Sequence, residues 1–524
     1  MNHKAIGSFY TPQEIALWLS KKTLYSVFNN SNNQLIHVLE PSCGDGSFLK
    51  SINELSEYKE NIEIDAIEFD DTAIKKAKSQ HPSVNFYHKD FLFWESKKKY
   101  DLILGNPPYI VRKVLKREQF EQCKKIHIKA GLQDKEIANI WTAFVIKCSE
   151  ILSDKAILAF VLPTELLQVN YAKEIRNFLL NKFKRIEVIS FKHLTFESID
   201  QDTVILIAYK SHQETGLYFS QVASVNELTK NLNFDKHHID SDSKWSSYIL
   251  KENELNFIKE IANKCSKVSD LCSSVAGIVT AANNYFIMSK EIVEKYDLEK
   301  FTKPIIQKGQ FVNGAVELSE KEFGLLVEEN KPCYLLDLNK ISEDDFTIGL
   351  KNYLKIGEQQ DIPERFKCKI RERWFDIPSI WKSEGFFFKR GHQYPKLLTN
   401  KADVYVTDSA YRIKMKQGSI ENFTVSFYNS LTLLFAELSG RYYGGGVLEL
   451  TPNEFKSLPI PKYTVNPEEY KEFVTLFKNK SSIEDLLLKN DFKILASTGL
   501  SEMEIVEVHE LYKTVKRRRL RSNN

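Results

Sequence analysis

The residues at 106–109 read Asn-Pro-Pro-Tyr and directly follow an apolar run at 100–105. Pro107 and Pro108 lack backbone N–H groups and stiffen the chain, which leaves the Asn106 side-chain carbonyl and the Pro107 main-chain carbonyl as acceptors. Two fixed acceptors suit one planar NH₂ group, because hydrogen bonds to both protons draw the nitrogen toward a nucleophilic, tetrahedral geometry. The ring of Tyr109 offers a flat face for the ring that carries the amine. The pattern predicts chemistry at an aromatic amine.

Acidic residues end the three apolar runs that come earlier in the chain. Glu40 ends the first and is followed by a glycine-containing turn, after which Ser47 can cap a helix. Small residues in that turn let a ligand approach the carboxyl end of the strand. Glu68, at the second strand end, is placed to accept from ribose hydroxyls. At the third, Asp90 can accept from an exocyclic amine while Phe91 packs against a purine. We therefore predict a site for a nucleoside-containing ligand.

The elements that position these residues alternate along the first 210 residues. Apolar runs are followed by amphipathic stretches, and they lie at 36–40, 62–69, 84–87, 100–105, 156–162, 186–191 and 203–209. This rhythm predicts an α/β fold with a parallel-rich sheet and crossover helices. The short separation of the last two runs predicts an antiparallel hairpin at the sheet edge. The polar residues at 235–243 are predicted to form a surface connector.

Composition narrows the class of protein. The 524 residues predict two to four domains, and no apolar run approaches the roughly 18 residues of a membrane-spanning helix. With no secretory signal, we expect a soluble protein of the cytoplasm, bound to no membrane. The seven cysteines form no CxxC pair, so neither a disulfide framework nor a zinc or other metal site is expected. The last 14 residues carry enough basic residues to account for the net charge of +3, so any nucleic-acid surface has to be local.

The ordered set of motifs resembles the gamma class of S-adenosylmethionine-dependent DNA adenine-N6 methyltransferases of restriction–modification type, and most closely its TaqI-like branch. The motifs that carry the resemblance are residues 7–12 (Gly-Ser-Phe-Tyr-Thr-Pro), 39–44 (Leu-Glu-Pro-Ser-Cys-Gly), 67–68 (Ile-Glu), 89–92 (Lys-Asp-Phe-Leu), 105–109 (Gly-Asn-Pro-Pro-Tyr) and 139–144 (Asn-Ile-Trp-Thr-Ala-Phe). The cofactor motifs precede the catalytic loop, and the specificity region comes last, as in that class.

The resemblance implies a role for each matching residue. Those implied to bind S-adenosyl-L-methionine are Tyr10, Thr11, Pro12, Glu40, Ser42, Cys43, Gly44, Glu68, Phe69, Asp90, Phe91, Asn106 and Phe144. The implied catalytic residues are Asn106, Pro107, Pro108 and Tyr109, and Tyr109 and Phe196 are implied to stack on the target base. The implied reaction moves a methyl group to N6 of an adenine flipped out of duplex DNA, and it needs no metal.

The C-terminal half shows a weaker resemblance to the target-recognition domain of TaqI-like enzymes, at 276–286 and 442–452. Aromatic and basic residues alternate at 371–375 and 388–392, from which Arg373, Lys389 and Arg390 are predicted to contact DNA. For the basic run at 516–519, phosphate contact and a disordered terminus stay open. We predict a Rossmann-like catalytic domain at 1–240 with helices on both sheet faces, an α+β target-recognition domain at 241–465, and a helical region with a basic tail at 466–524.

Several alternatives to a site-specific adenine methyltransferase stay open. An RNA or protein-glutamine N-methyltransferase uses the same Asn-Pro-Pro-Tyr chemistry but resembles shorter chains. A fused endonuclease or a modification subunit would need a segment before the first motif, and only six residues precede Gly7. A cytosine-C5 enzyme needs a Pro-Cys nucleophile, for which Cys333 is badly placed. A non-catalytic DNA-binding protein would have no use for residues 106–109. The expected partners are duplex DNA and a separately encoded restriction endonuclease, and we expect a monomer.

Overall fold

The computed structural model describes residues 11–31, 35–55, 61–133, 137–191, 203–230, 232–238, 244–312, 314–443, 445–479 and 482–520. The chain divides into two compact units, Met1–Glu252 and Asn253–Asn524. Within the described residues, no helix combines the length and apolar character that crossing a membrane requires.

A nine-stranded mixed sheet forms the centre of the first unit. Its strands are β1 (Ile36–Glu40), β2 (Ile62–Glu68), β3 (Asn85–His88), β4 (Tyr100–Gly105), β5 (Leu152–Pro163), β6 (Arg185–Phe191), β7 (Thr203–Tyr209), β8 (Gly216–Val222) and β9 (Asp235–His237). Their order is β3-β2-β1-β4-β5-β7-β6-β8-β9. The strands from β3 to β5 are parallel, whereas β7 runs antiparallel to both neighbours. All seven strands predicted from the sequence are present.

Helices cover both faces of this sheet, as predicted. They are α1 (Gln13–Ser31), α2 (Ser47–Glu54), α3 (Asp71–Gln80), α4 (Arg117–Lys129), α5 (Trp141–Glu150), α6 (Glu165–Gln168) and α7 (Lys173–Lys182). Alternate residues of β4 enter two different cores: Ile103 packs in the core that contains α5 and α7, while Leu102 and Leu104 pack in the core that contains α1 and α2. Successive side chains of a strand point to opposite faces of the sheet, so both faces of this sheet are buried beneath helices.

The strand order reverses between β1 and β4, which are paired through Val38 with Leu102 and Leu39 with Ile103. From β1 the chain proceeds to β2 and β3 on one side, and then crosses to β4 and β5 on the other. In open parallel sheets, ligands bind at the carboxyl ends of the strands where the order reverses. A ligand of this fold is therefore expected to bind at the residues that follow Glu40 and Gly105.

Two local predictions for the first unit are wrong. The β6–β7 pair is antiparallel as expected, but it does not form the sheet edge, since β7 lies between β5 and β6, and β8 and β9 extend the sheet beyond β6. Part of the predicted connector at 235–243 is strand β9. Its three residues pair with β8, and the buried His237 ring meets Phe219 edge-on at 5.2 Å. A short polar strand pairs through its backbone, which hydropathy does not detect.

The second unit is an α+β assembly, in agreement with the predicted class. Its strands are β10 (Ser266–Lys267), β11 (Cys272–Ala276), β12 (Ile287–Met288), β13 (Thr302–Ile306), β14 (Glu317–Leu318), β15 (Tyr334–Leu336), β16 (Gly385–Phe388), β17 (Arg390–Gly391), β18 (Lys396–Asn400), β19 (Tyr405–Val406), β20 (Ala410–Met415), β21 (Arg441–Tyr443), β22 (Val447–Glu449) and β23 (Pro459–Ile460). They form sheets ordered β11-β20-β16-β18-β14, β12-β15-β13-β19, β17-β22-β21 and β10-β23.

The helices of the second unit are α8 (Glu252–Asn263), α9 (Val268–Leu271), α10 (Asn283–Phe286), α11 (Lys290–Lys295), α12 (Glu320–Glu328), α13 (Ile348–Gln359), α14 (Phe366–Lys369), α15 (Ile420–Phe427), α16 (Ser430–Ser439), α17 (Pro452–Lys456), α18 (Pro467–Lys478), α19 (Ile483–Ile494) and α20 (Glu502–Leu520). The last three lie in the region predicted at 466–524, and they pack within this unit. At the start of α16, the buried Ser430 hydroxyl donates to Asp491 of α19 at 2.5 Å and lies 2.8 Å from His509 Nδ1 of α20.

Candidate active site

The turn after β1 and the Asn-Pro-Pro-Tyr segment after β4 meet at the point where the strand order reverses. The Ser42 hydroxyl donates to the Asn106 main-chain carbonyl at 3.2 Å. A Cβ at Gly105 would lie 3.5 Å from the Pro41 ring and 3.7 Å from the Glu40 side chain, so the two segments are in contact. The structure thus brings together the two strongest motifs of the sequence.

The Asn-Pro-Pro-Tyr segment is held at both ends. Beyond it, Ile140 N–H donates to Ile110 at 3.0 Å and Arg112 N–H donates to Ala138 at 2.8 Å, which ties the chain to the start of α5. The Tyr109 hydroxyl donates to the Val161 carbonyl of β5 at 3.0 Å. Such a segment can present fixed acceptors without reorganising.

The Tyr109 ring is only 9% exposed and belongs to the core that contains α5. Burial and the nearby Glu165 carboxylate raise the pKa of its phenol, so the ring stays neutral. Pro107 is also buried, whereas Asn106 and Pro108 are partly accessible. In this state of the protein, little of the predicted stacking face of Tyr109 is open.

The turn after β1 is built by backbone hydrogen bonds to β2. Cys43 N–H donates to the Ile67 carbonyl at 2.9 Å, and Gly44 N–H donates to a Glu68 carboxylate oxygen at 2.8 Å. Gly44 and Gly46 have φ of 54° and 92°, which favours glycine at both positions. The result is a tight turn whose backbone a ligand such as a ribose can approach closely.

Glu40 is a buried acidic residue at the start of this turn. Its side chain ends β1 at 2% exposure, and its Oε2 has no hydrogen-bond partner among the described residues. Desolvation raises the pKa of this carboxyl well above its usual range, with further contributions from repulsion by Glu68 and Asp45. A buried carboxylate is costly unless a cation or donors meet it. The site therefore fits a ligand that brings a positive charge.

Glu68 and Phe69 lie at the end of β2. The Glu68 carboxylate accepts from the backbone N–H groups of Phe69 at 2.8 Å and Asp70 at 2.7 Å, in addition to Gly44. Two carboxylate oxygens offer about four acceptor positions, so one position stays open for a ligand hydroxyl. The Phe69 ring is 59% exposed, which packing within the protein does not explain. An exposed ring at a strand end can cover a planar ligand.

Asp90 and Phe91 follow β3. One Asp90 oxygen accepts from Leu92 N–H at 2.9 Å, and the other accepts from the Gln119 side chain at 2.8 Å. The buried Phe91 ring lies 4.8 Å from the ring of Phe144 on α5. These contacts fix the carboxylate, and the residue that follows it contributes one ring of the Phe91–Phe144 pair.

At the start of the unit, Thr11 is buried and Pro12 accepts the first backbone hydrogen bonds of α1, from Ile15 and Ala16 at 3.1 Å. Tyr10 and Phe196, both predicted to contact a ligand or base, lie outside the described residues.

Comparison with known proteins shows which proteins this chain resembles. The family model described as Eco57I restriction-modification methylase matches residues 11–196, and the model for the C-terminal domain of type II methyltransferase M.Eco57I matches residues 242–495. Type II methyltransferase M.AccI of Acinetobacter calcoaceticus is 24% identical over 514 residues, covering 91% of this chain and 89% of the relative. The two models match different parts of the chain, and over most of its length the chain is similar to Eco57I-like type II restriction–modification methyltransferases.

One further relative and one solved structure are also similar to this chain. Type II methyltransferase M.BanIII of Aneurinibacillus aneurinilyticus is 24% identical over 348 residues, which is 55% of this chain and 59% of that protein. A solved structure of the type IIL restriction-modification enzyme MmeI in complex with DNA covers 96% of this chain and 76% of its own, with a TM-score of 0.63 and 13% identity. At that identity, the likeness concerns the fold.

Sequence reasoning missed one residue that shapes this site. Lys147 of α5 donates through Nζ to the carbonyls of Phe91 at 2.7 Å and Leu92 at 2.9 Å, and also to Trp94. Burial lowers the pKa of Lys147 to about 8. The ammonium therefore holds the segment that carries Asp90. The signal was present in the sequence, because Lys147 is the one basic residue of this helix and follows six residues without charge.

The three residues predicted to contact DNA differ in their partners and in their exposure to solvent. Arg373 makes a two-point ion pair with Asp376 at 2.8 and 2.9 Å and donates to the Ile341 and Leu338 carbonyls, which uses most of its donors. Its side chain is partly exposed, at 24%, so its role as a DNA contact stays a prediction. Arg390 is exposed, with Glu449 at 3.4 Å, and Lys389 is partly exposed.

Cys333, the cysteine of the Pro-Cys pair, is fully buried, and burial raises its thiol pKa to about 12. A nucleophilic cysteine needs an accessible thiolate, so this residue does not support cytosine-C5 chemistry.

Proposed function

We propose that this chain is a site-specific DNA methyltransferase that moves a methyl group from S-adenosyl-L-methionine to N6 of an adenine flipped out of duplex DNA. The observation that carries the proposal is the junction of the Asn-Pro-Pro-Tyr segment with the turn after β1. There, the Ser42 hydroxyl meets the Asn106 carbonyl, and the turn begins at Glu40, whose buried Oε2 has no partner among the described residues. The type II methyltransferase relatives support the same reaction class.

The residues around the turn fit the proposed cofactor. Glu40 would face its positively charged methionine end, which would give a counter-charge to the buried Oε2 that has no partner in the described part of the chain. The open acceptor position of Glu68 would take a ribose hydroxyl, and Asp90 would accept from the adenine amine. Phe69, Phe91 and Phe144 would enclose the purine ring. When bound, the cofactor supplies an electrophilic methyl group.

The target amine would lie beyond the cofactor, against residues 106–109. The Asn106 side-chain oxygen and the Pro107 carbonyl would accept from the two N6 protons, and this polarises the nitrogen lone pair toward the methyl carbon. An amine inside a duplex is paired and stacked, so the base has to be flipped, at a cost of a few kcal/mol. Tyr109 is the proposed stacking partner, and a small local movement would expose its largely covered ring. Phe196 remains the proposed partner for the other face.

Duplex DNA is the proposed substrate, with Lys389 and Arg390 of the second unit as candidate contacts. Because phosphate contacts release counterions, DNA affinity should fall steeply with salt. We also propose that a restriction endonuclease of the same specificity is encoded separately.

The experiment that tests this function is expression in a host that lacks DNA methylation, followed by single-molecule sequencing for N6-methyladenine. Methylation at one short motif, lost in Asn106→Ala, is the expected result and would reveal the recognition sequence as well. If DNA stays unmethylated while calorimetry shows that the cofactor binds, the substrate is RNA or protein and the DNA assignment fails.

A further inference from the structure

The basic C-terminal run does not form a free tail. It lies on the last helix, α20, where Lys516 pairs with Glu484 and Arg519 is buried at 2% exposure. A fully buried arginine at the end of a basic segment indicates a specific structural task, because arginine is buried only when its donors are satisfied.

Arg519 joins three separate segments of the second unit. Its Nε and one terminal nitrogen donate to Glu437 of α16 at 2.7 and 2.8 Å, in a two-point ion pair. The other terminal nitrogen donates to the His392 carbonyl at 2.5 Å and to the Gly446 carbonyl. The planar guanidinium is suited to this fixed fork of contacts, which a lysine cannot reproduce.

The two carbonyls belong to one small structural element, which we call the glycine hairpin and define as β17, β21, β22 and the loop residues 392–394 and 445–446. Strand β22 pairs with both β17 and β21, so the two loops lie side by side. His392 Nε2 lies 3.0 Å from the Gly445 carbonyl. Gly445 and Gly446 have φ of 80° and 73°, and a Cβ at Gly445 would meet no atom within 4 Å.

The exposed surface of the glycine hairpin is polar and carries one arginine, Arg390, which lies 3.4 Å from Glu449. The Arg390 side chain is 68% exposed, and His392 and Gln393 are exposed beside the tip. The open backbone at Gly445 lets another molecule approach closely. Arginine and glutamine side chains are among the donors that contact phosphate oxygens in protein–DNA complexes, and Arg390 and Gln393 are both exposed.

We propose that the glycine hairpin contacts the phosphate backbone of duplex DNA and that Arg519, held by Glu437, is the positioning residue that sets its shape. This inference rests on the proposed function and adds the contact surface and the residue behind it. Removing the Arg519 guanidinium would leave both loops without their shared anchor and would leave the Glu437 carboxylate buried and unpaired.

The test compares steady-state methyl transfer from tritiated S-adenosyl-L-methionine to unmethylated plasmid DNA across five variants of the full chain. Arg519→Met and Glu437→Gln disrupt the anchor, and Arg519→Lys is the conservative version. Arg390→Ala removes a surface contact without touching the core. Lys489→Ala is the matched control, since it removes an exposed, paired lysine of α19 in the same unit.

We expect Arg519→Met to raise KM for DNA by about tenfold, the loss typical of a well-placed contact, with KM for the cofactor and kcat changed less than about twofold. Glu437→Gln should follow Arg519→Met, and Arg519→Lys should lie between Arg519→Met and the wild type. Arg390→Ala should raise KM for DNA about threefold and reduce its salt dependence by about one ion. Lys489→Ala should match the wild type.

Two outcomes would overturn the inference while the proposed function stands. One is a wild-type KM for DNA in a folded Arg519→Met, with only a lower melting temperature, which would make Arg519 a stabilising residue alone. The other is an unchanged KM and salt dependence in Arg390→Ala, which decides the matter even if the Arg519 variants do not fold. A wild-type protein that leaves the plasmid unmethylated would instead refute the proposed function.

Discussion

The Ser42 hydroxyl lies 3.2 Å from the Asn106 carbonyl oxygen, although 64 residues separate the two along the chain. This hydrogen bond joins the turn that is proposed to hold the cofactor to the segment that is proposed to hold the target amine. Methyl transfer requires in-line placement of the two reacting atoms, and a shift of about 1 Å can cost a hundredfold in rate. In the proposed reaction, this one hydrogen bond would couple the position of the cofactor to the position of the target.

Asn106→Ala should remove one of the two proposed acceptors for the target amine. We expect kcat to fall by about 10²–10³, as when one preorganised polar group is lost, with cofactor and DNA affinity within about threefold of wild type. Single-turnover methyl transfer and isothermal titration calorimetry measure the two effects. Asn85→Ala, at the exposed start of β3, serves as the matched control. An Asn106→Ala enzyme with wild-type turnover would exclude the catalytic role.

Glu40→Gln should alter the pH dependence of cofactor binding. Burial raises the pKa of Glu40 in the free protein, and a bound cation would lower it, so binding should release a proton and strengthen as pH rises. We expect affinity to fall about tenfold at pH 8 in the variant, roughly 1.4 kcal/mol. Calorimetry in two buffers of different ionisation enthalpy measures the proton release, which the variant should lack. Equal proton release in both proteins would contradict this role.

The same substitution should stabilise the cofactor-free protein. A raised pKa in the folded state means that the contribution of Glu40 to stability is present at low pH and is lost as pH rises through that pKa. Glu40→Gln stays neutral, so at pH 8 its melting temperature without cofactor should exceed that of the wild type. At low pH, the two should agree. Differential scanning calorimetry across this pH range tests the sign.

Glu68→Ala should weaken cofactor binding for two reasons. It removes the proposed ribose acceptor, and it removes the acceptor for the Gly44, Phe69 and Asp70 N–H groups. We expect a loss of about 2–3 kcal/mol, of which Glu68→Gln should retain the larger part of the backbone contribution. Calorimetry with S-adenosyl-L-methionine and with an analogue that lacks the ribose hydroxyls separates the two. If Glu68→Ala loses affinity equally for both, the residue only shapes the turn.

Lys147 should make cofactor affinity sensitive to alkaline pH. Below its pKa of about 8, the ammonium donates to three carbonyls of the segment that follows Asp90, and above it a donor is lost. Affinity should therefore decline as pH rises from about 7 to 9. Because the pKa of Lys147 is lower in the folded than in the unfolded state, its titration raises folding stability as pH increases through about 8. A decline in affinity over this range would therefore not come from unfolding caused by this group. Lys147→Met should bind more weakly at pH 7 and show no decline; a parallel decline in the variant would point to another group.

Most strands of the sheet could be predicted from the sequence, because the sequence pattern of each strand is local. A buried parallel strand is a short apolar run, and a turn such as 41–46 requires glycine and small residues wherever it occurs. The seven predicted strands were found at nearly the predicted positions, and the Glu40, Glu68 and Asp90 carboxylates all stand at strand ends. The polar strand β9 was missed, because its pairing depends on a neighbour rather than on its own hydropathy.

The sequence by itself determined the strand ends, the rigid Asn-Pro-Pro-Tyr segment and the residue types beside it, since these follow from apolar runs, proline and glycine. Only the tertiary structure decided which charged groups are buried and what they touch. Arg519 appears in sequence as a basic residue suited to phosphate, yet it is buried in the second unit against Glu437, whereas Arg373 is partly exposed beside Asp376 and Arg390 remains exposed. Burial depends on which distant segments meet, and no local pattern records that.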